Sequence, residues 1–157
     1  MKEMRIAALV VIFTLTCGIL SLGAAEERKR IAAVVDTNGK VEVRNQQGEW
    51  IAAKKGMVLQ EGDVIRTNAN SFAVLNVDGL AETATVEVKE KSQLKLIELI
   101  ENKEKDTQNT FLDLALGEIL IKAKKLHSEK SSFEVKTPTS VVGVRGTTFS
   151  IAVEAIE

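Results

Sequence analysis

The sequence predicts an all-β fold, a compact sandwich or roll of short, mostly antiparallel strands. Apolar residues alternate with polar ones over short runs rich in Val and Ile. Turn signals built from Gly, Asn, Asp and Pro interrupt these runs about every eight to twelve residues. No helical pattern of about twelve residues intervenes to carry a parallel crossover. The chain has 157 residues, 45% hydrophobic and 27% charged, with one Pro and ten Gly. That composition suits one globular domain and excludes a disordered or collagen-like chain. Its 21 basic and 22 acidic residues leave a net charge of −1. A nucleic-acid clamp needs a basic excess to neutralise phosphates, so no nucleic-acid partner is expected.

Each strand has a local reason. Residues 31–35 form a β-branched stretch that leads to Asn38-Gly39, a turn pair that tolerates positive φ. In 40–44, Val41 and Val43 alternate with Lys40, Glu42 and Arg44, as in a half-buried strand. Strands at 50–53, 57–59 and 64–67 are separated by turns at Gly56 and at Gly62-Asp63. The strand at 72–77 closes at Asp78-Gly79, and 83–89 alternates again around Val86 and Val88. Residues 94–100 admit a helical stripe of Leu94, Ile97 and Ile100. They also admit a strand with Leu94 and Leu96 on one face and Ile97 and Leu99 on the other; the strand-like neighbours favour the strand. The charged stretch 101–109 reads as a solvated hairpin tip. Strands at 111–116, 118–123, 133–136, 141–144 and 148–153 complete the set. Gly62-Asp63-Val64-Ile65 and Gly117-Glu118-Ile119-Leu120 echo each other, either by duplication or because hairpins look alike.

The amino-terminal segment reads as an address. Lys2 and Arg5 precede an uncharged apolar run over 6–23, and Gly23, Ala24 and Ala25 lead into the charged Glu26-Glu27-Arg28-Lys29-Arg30. This three-part pattern predicts a signal peptide over 1–25, cleaved after Ala25, then a charged lead-in over 26–30 and a domain over 31–157. The expected location is periplasmic or secreted. An uncleaved anchor is the competing reading, and lipidation of Cys17 is disfavoured because Thr16 is a poor preceding residue. Cleavage removes Cys17, the one cysteine, so no disulfide is expected.

Chemistry-bearing groups are sparse. The one histidine, His127, lies in a polar stretch without the companions a metal site requires. No Gly-x-Ser-x-Gly elbow and no glycine-rich phosphate cradle between strand and helix occurs. The chain is therefore read as non-enzymatic, with no catalytic, cofactor or metal residue. With no Tyr and one Trp, aromatic sugar platforms are scarce, and Trp50 is read as core packing ahead of a platform. Two segments look specified, 56–67 and 135–149. In the first, glycines permit sharp turns and Asp63 can cap backbone donors. In the second, the lone Pro138 cannot sit in a central ladder, and Arg145 lies between Gly143 and Gly146. Arg145 is read as a fold-locking arginine, with Asp63 a candidate partner, ahead of a partner-contacting one.

Four motifs carry a family resemblance: Gly-x-x-Leu-x-x-Gly-Asp-x-Ile-x-Thr from Gly56 to Thr67, Leu-x-Val-Asp-Gly from Leu75 to Gly79, Leu-x-Leu-Gly-Glu-Ile from Leu114 to Ile119, and Thr-Pro … Gly-Val-Arg-Gly-Thr-x-Phe from Thr137 to Phe149. In this order they resemble the FecR domain, in its single-domain form, over about Ile31 to Val153. They mark Gly56, Gly62, Asp63, Thr67, Gly79, Gly117, Thr137, Pro138, Gly143, Arg145, Gly146 and Thr147 as structural or partner-contact residues. The resemblance implies a non-catalytic envelope module that binds a protein partner, in signalling or as an adaptor. In founding members of the family, a cytoplasmic arm engages a sigma factor and the periplasmic domain receives a transporter's signal. Only Met1 to Arg5 precede the apolar run here, so direct sigma-factor contact is not expected. The alternative is a structural module that binds cell-wall glycan or another surface polymer.

Overall fold

The computed structural model describes residues 27–78, 84–124 and 128–154. The predicted leader, Cys17, Gly79 and His127 lie outside them. Thirteen strands follow in chain order: β1 (Glu27–Lys29), β2 (Ala32–Asn38), β3 (Val41–Arg44), β4 (Trp50–Ala52), β5 (Val58–Leu59), β6 (Val64–Thr67), β7 (Phe72–Val77), β8 (Ala84–Val88), β9 (Gln93–Asn102), β10 (Thr107–Ala123), β11 (Ser132–Lys136), β12 (Val141–Gly143) and β13 (Thr148–Val153). The all-β expectation holds. Among the described residues no helix is long and apolar enough to cross a membrane.

The strands form one curled sheet in which β10 belongs to both halves. Its first part pairs with β9 and, in parallel, with β11; its second part pairs with β8 and β13. The first half-sheet runs β4-β3-β6-β9-β10-β11-β12, and the second runs β5-β2-β7-β8-β10-β13. The two halves face each other across one apolar cluster. Val43, Ile65, Leu94, Leu112 and Val135 come from the first half; Val34, Leu75, Val86, Ile119 and Ile121 come from the second. Each such fully buried aliphatic side chain contributes about 1.5–3 kcal/mol relative to exposure.

Gly117 makes the turn from one half to the other. Leu112 and Leu114 face the core, then Ile119 and Ile121 do, so the inward parity switches at Gly117. Its φ of +89° is open to glycine, and an added Cβ would lie 2.4 Å from Ser92 Cα. The two strands expected at 111–116 and 118–123 are therefore one bent strand of 17 residues.

Two other expectations change. Residues 94–100 are strand, but Leu99 faces the core with Leu94 and Leu96. The register of β9 on β10 steps between Glu98↔Phe111 and Leu96↔Leu112, which leaves Ile97 as a bulge and restores inward packing after it. The expected hairpin tip over 101–109 is shorter, because Glu101, Asn102 and 107–109 are paired and only 103–106 form the turn. In addition, Glu27–Lys29 from the charged lead-in pair with the far end of β9.

Candidate functional site

The expected site residues fall into two groups. The first group is taken up by turns. Asp63 is buried; its carboxylate accepts a hydrogen bond from the Gln60 N–H at 2.9 Å, and its own carbonyl accepts from the Leu96 N–H at 3.0 Å. Gly62 has φ +90° and donates its N–H to the Leu96 carbonyl at 2.7 Å. Gly56 has φ +87° in the turn before β5 and donates to the Val34 carbonyl at 2.7 Å. The buried Thr67 hydroxyl donates to the Lys89 carbonyl and accepts from the Ser92 N–H at 3.1 Å, which ties β6 to the turn before β9. Thr137 caps the β11–β12 turn: its N–H reaches the Ser140 carbonyl at 2.8 Å, and its hydroxyl accepts from the Ser140 N–H at 3.1 Å. Gly117 makes the bend within β10.

The second group lies on the surface. Pro138, Gly143, Arg145, Gly146 and Thr147 are all exposed, Pro138 on the β11–β12 turn, Gly143 at the end of β12 and the other three on the link from β12 to β13. Arg145 donates to the Glu129 carbonyl at 2.5 Å, and among the described residues it makes no ion pair with Asp63. The fold-locking expectation for Arg145 is thus corrected: an exposed guanidinium with a backbone carbonyl for a partner is a loop strap. It lines a surface cleft of about 540 Å³ with Glu129, Lys130 and Glu134.

A second cleft of about 480 Å³ runs between the Thr137–Ser140 turn and the last residues of β13, with Leu116 and Ala115 as its floor. Here β13 pairs with β10 on one side and is the edge of its half-sheet on the other. Its outward backbone groups and the half-buried Ile151 and Val153 flank the cleft. The combination offers an extended segment both ladder hydrogen bonds and apolar contact. Among the described residues no three His, Cys, Asp or Glu side chains converge as metal ligands do.

The buried arginine of this fold was not among the expected site residues. Arg30 is 8% exposed. Its Nε donates to Asp78 Oδ1 at 2.6 Å and its Nη2 to Thr110 Oγ1 at 2.6 Å. The remaining Nη1 is buried without a hydrogen-bond partner. A sequence signal existed: Arg30, Ala32 and Val34 share one parity, and Ala32 and Val34 face the core. Trp50 is half-buried on the outer face of β4, with the Arg66 guanidinium 3.8 Å and the Arg44 guanidinium 5.2 Å from its ring centre. It is neither core nor a bare platform, because cation–π stacking occupies it.

A family model described as FecR protein matches residues 63–156. No curated protein and no solved structure matches the chain. The matched span begins at Asp63 and takes in β6 to β13, including the bend at Gly117 and the surface loops that hold Arg145. The strands before it complete the same curled sheet, since β2 pairs with β7 and β3 with β6. By this match over more than half its length, the chain belongs to the FecR protein family.

Proposed function

We propose that this protein is a non-catalytic module of the cell envelope, exported by cleavage after Ala25, that docks a protein partner in signalling or as an adaptor. The observation that carries the reading is the β13 edge beside the Thr137–Ser140 cleft. An extended segment of a partner adds to that edge as a further strand, and apolar side chains of alternate residues enter the cleft. The module needs no cofactor, and the partner, not a substrate, supplies specificity. The Trp50 ring, stacked by Arg66, offers little for a neutral sugar, so the docking reading is preferred to a neutral-glycan platform.

The test places a photo-crosslinking amino acid at Ala152 or at Thr139, with Asp36 on β2 as the control. The full chain is expressed in its native envelope and adducts are identified by mass spectrometry. A discrete envelope-protein adduct from Ala152 and Thr139, absent from Asp36, is expected. The same adducts from all three positions, or none from Ala152, would sink the edge-docking reading. Amino-terminal sequencing of the exported protein is expected to begin at Glu26; a chain retaining residues 1–25 would identify an anchor.

A further inference from the structure

The outer face of the first half-sheet carries a band of cations that neither the turns nor the β13 edge uses. Cross-strand register sets one row as Trp50, Arg44, Val64, Lys95, Asp113, Lys136 and Val141, on β4, β3, β6, β9, β10, β11 and β12. Paired residues share a face, so Arg44, Lys95 and Lys136 project together, and all three are exposed. They occur on every second strand, about 10 Å apart at ordinary strand spacing. Arg66 and Lys40 add to the band; among the described residues Glu42 and Asp113 lie within it, Asp113 3.9 Å from Lys136, and Glu98 and Glu134 border it. The Glu98, Phe111 and Glu134 row further along the same strands is acidic, so the cations form a stripe across the strands.

The Trp50 end of the stripe is organised. Arg66 is held by Glu42 Oε2 at 2.9 Å and by the indole at 3.8 Å. Arg44 lies over the same ring at 5.2 Å and has no carboxylate partner among the described residues. One ring thus positions two planar guanidiniums, and a guanidinium held in place receives a carboxylate with little further loss of rotamer freedom.

The geometry points to a binding site for a linear, carboxylate-bearing polysaccharide of the envelope, lying across the strands along the Arg44–Lys95–Lys136 stripe. An extended sugar chain presents alternate substituents on one side, which suits cations on alternate strands. A protein strand would run along the sheet strands and meet only one cation of the row. A lipid surface would call for apolar side chains projecting among the cations, whereas Val64, in mid-row, is buried and the exposed Val141 stands at the end of the row, beyond Lys136.

The chain's one tryptophan reports the site directly. The purified full chain is titrated with polygalacturonate and followed by Trp50 emission and by calorimetry. Neutral dextran and phosphatidylglycerol vesicles serve as the comparisons. A saturable response to polygalacturonate alone is expected, weakening as salt rises through about 0.15 M, where screening over this spacing becomes strong. Arg44→Gln is expected to weaken binding about tenfold, the worth of one charge-assisted contact. Lys95→Gln and Lys136→Gln lie away from the tryptophan; each is expected to weaken calorimetric binding with an unchanged melting temperature. No response to polygalacturonate, equal binding of dextran or vesicles, or wild-type affinity in all three variants would overturn the site. Crosslinking at Ala152 is independent of these outcomes.

Discussion

Arg30 and Asp78 bring together segments 48 residues apart, with side chains only 6% and 8% exposed. At that depth the pair matters chiefly through the cost of losing one member and stranding the other. Asp78 sits at φ 69°, a conformation asparagine also tolerates, so Asp78→Asn removes the charge and leaves the turn. It is expected to lower stability by about 3 kcal/mol in urea unfolding, because the Arg30 charge stays buried. Adding Arg30→Met to that variant is expected to recover part of the loss; strictly additive losses would show that the pair is not coupled. Arg145 provides the contrast. It is exposed, so Arg145→Ala is expected to change stability by no more than about 0.5 kcal/mol. A loss of several degrees in melting temperature would restore the fold-locking reading. The difference between the two arginines was legible only in part. The sequence puts Arg30 in the charged lead-in; its parity with Ala32 and Val34 is a signal that it faces inward, but its partner 48 residues away is a property of the closed sheet.

At the scale of elements, local sequence marked where strands begin and end better than how they join. Val41 and Val43, or Val86 and Val88, alternate cleanly because each of these strands has one core face and one polar face. The same rule misled where alternation breaks. The bulge at Ile97 moves Leu99 back to the core, and the break at Gly117 is a bend within β10. Both breaks are visible as parity switches, but a single sequence does not say whether a switch is a bulge, a bend or a chain end. Gly117 and Gly56 separate the two requirements on a left-handed glycine. At Gly56, φ is +87° and nothing lies within 4 Å of an added Cβ. Gly56→Ala is therefore expected to cost about 1 kcal/mol, the conformational term alone. At Gly117 a Cβ would meet Ser92 Oγ at 2.2 Å and Ser92 Cα at 2.4 Å. The Ser92 hydroxyl also accepts from the Glu118 N–H at 2.9 Å and donates to the Glu118 carbonyl at 3.1 Å, so it has little room to withdraw. Gly117→Ala is expected to cost more than about 3 kcal/mol, conformational strain and overpacking together. Equal losses at the two positions would show that Ser92 gives way.

For the whole molecule, sharing β10 between two half-sheets has a thermodynamic consequence. The family match starts inside the fold, at Asp63, and the strands before it are distributed over both halves: β3 pairs with β6 in one and β2 with β7 in the other. Neither half can lose β10 and keep its order, because β9 and β8 would both lose a ladder partner. The core likewise draws on both halves at once, with Leu94 and Leu112 from one and Leu75 and Ile121 from the other in a single cluster. Unfolding is therefore expected to be one cooperative transition. Trp50 emission reports the outer strand of the first half, and amide exchange at Val34 and Leu75 reports the second. Under rising denaturant the two probes are expected to share one midpoint, and in Gly117→Ala that midpoint is expected to fall for both together. A Trp50 transition well below the exchange midpoint, with the second half still protected, would show that β4, β3 and β6 open as a separate unit. In that event the Arg44 end of the carbohydrate stripe would lie on a segment of lower stability than its Lys95 and Lys136 end, and a ligand bound along the stripe would raise the Trp50 midpoint toward that of the second half.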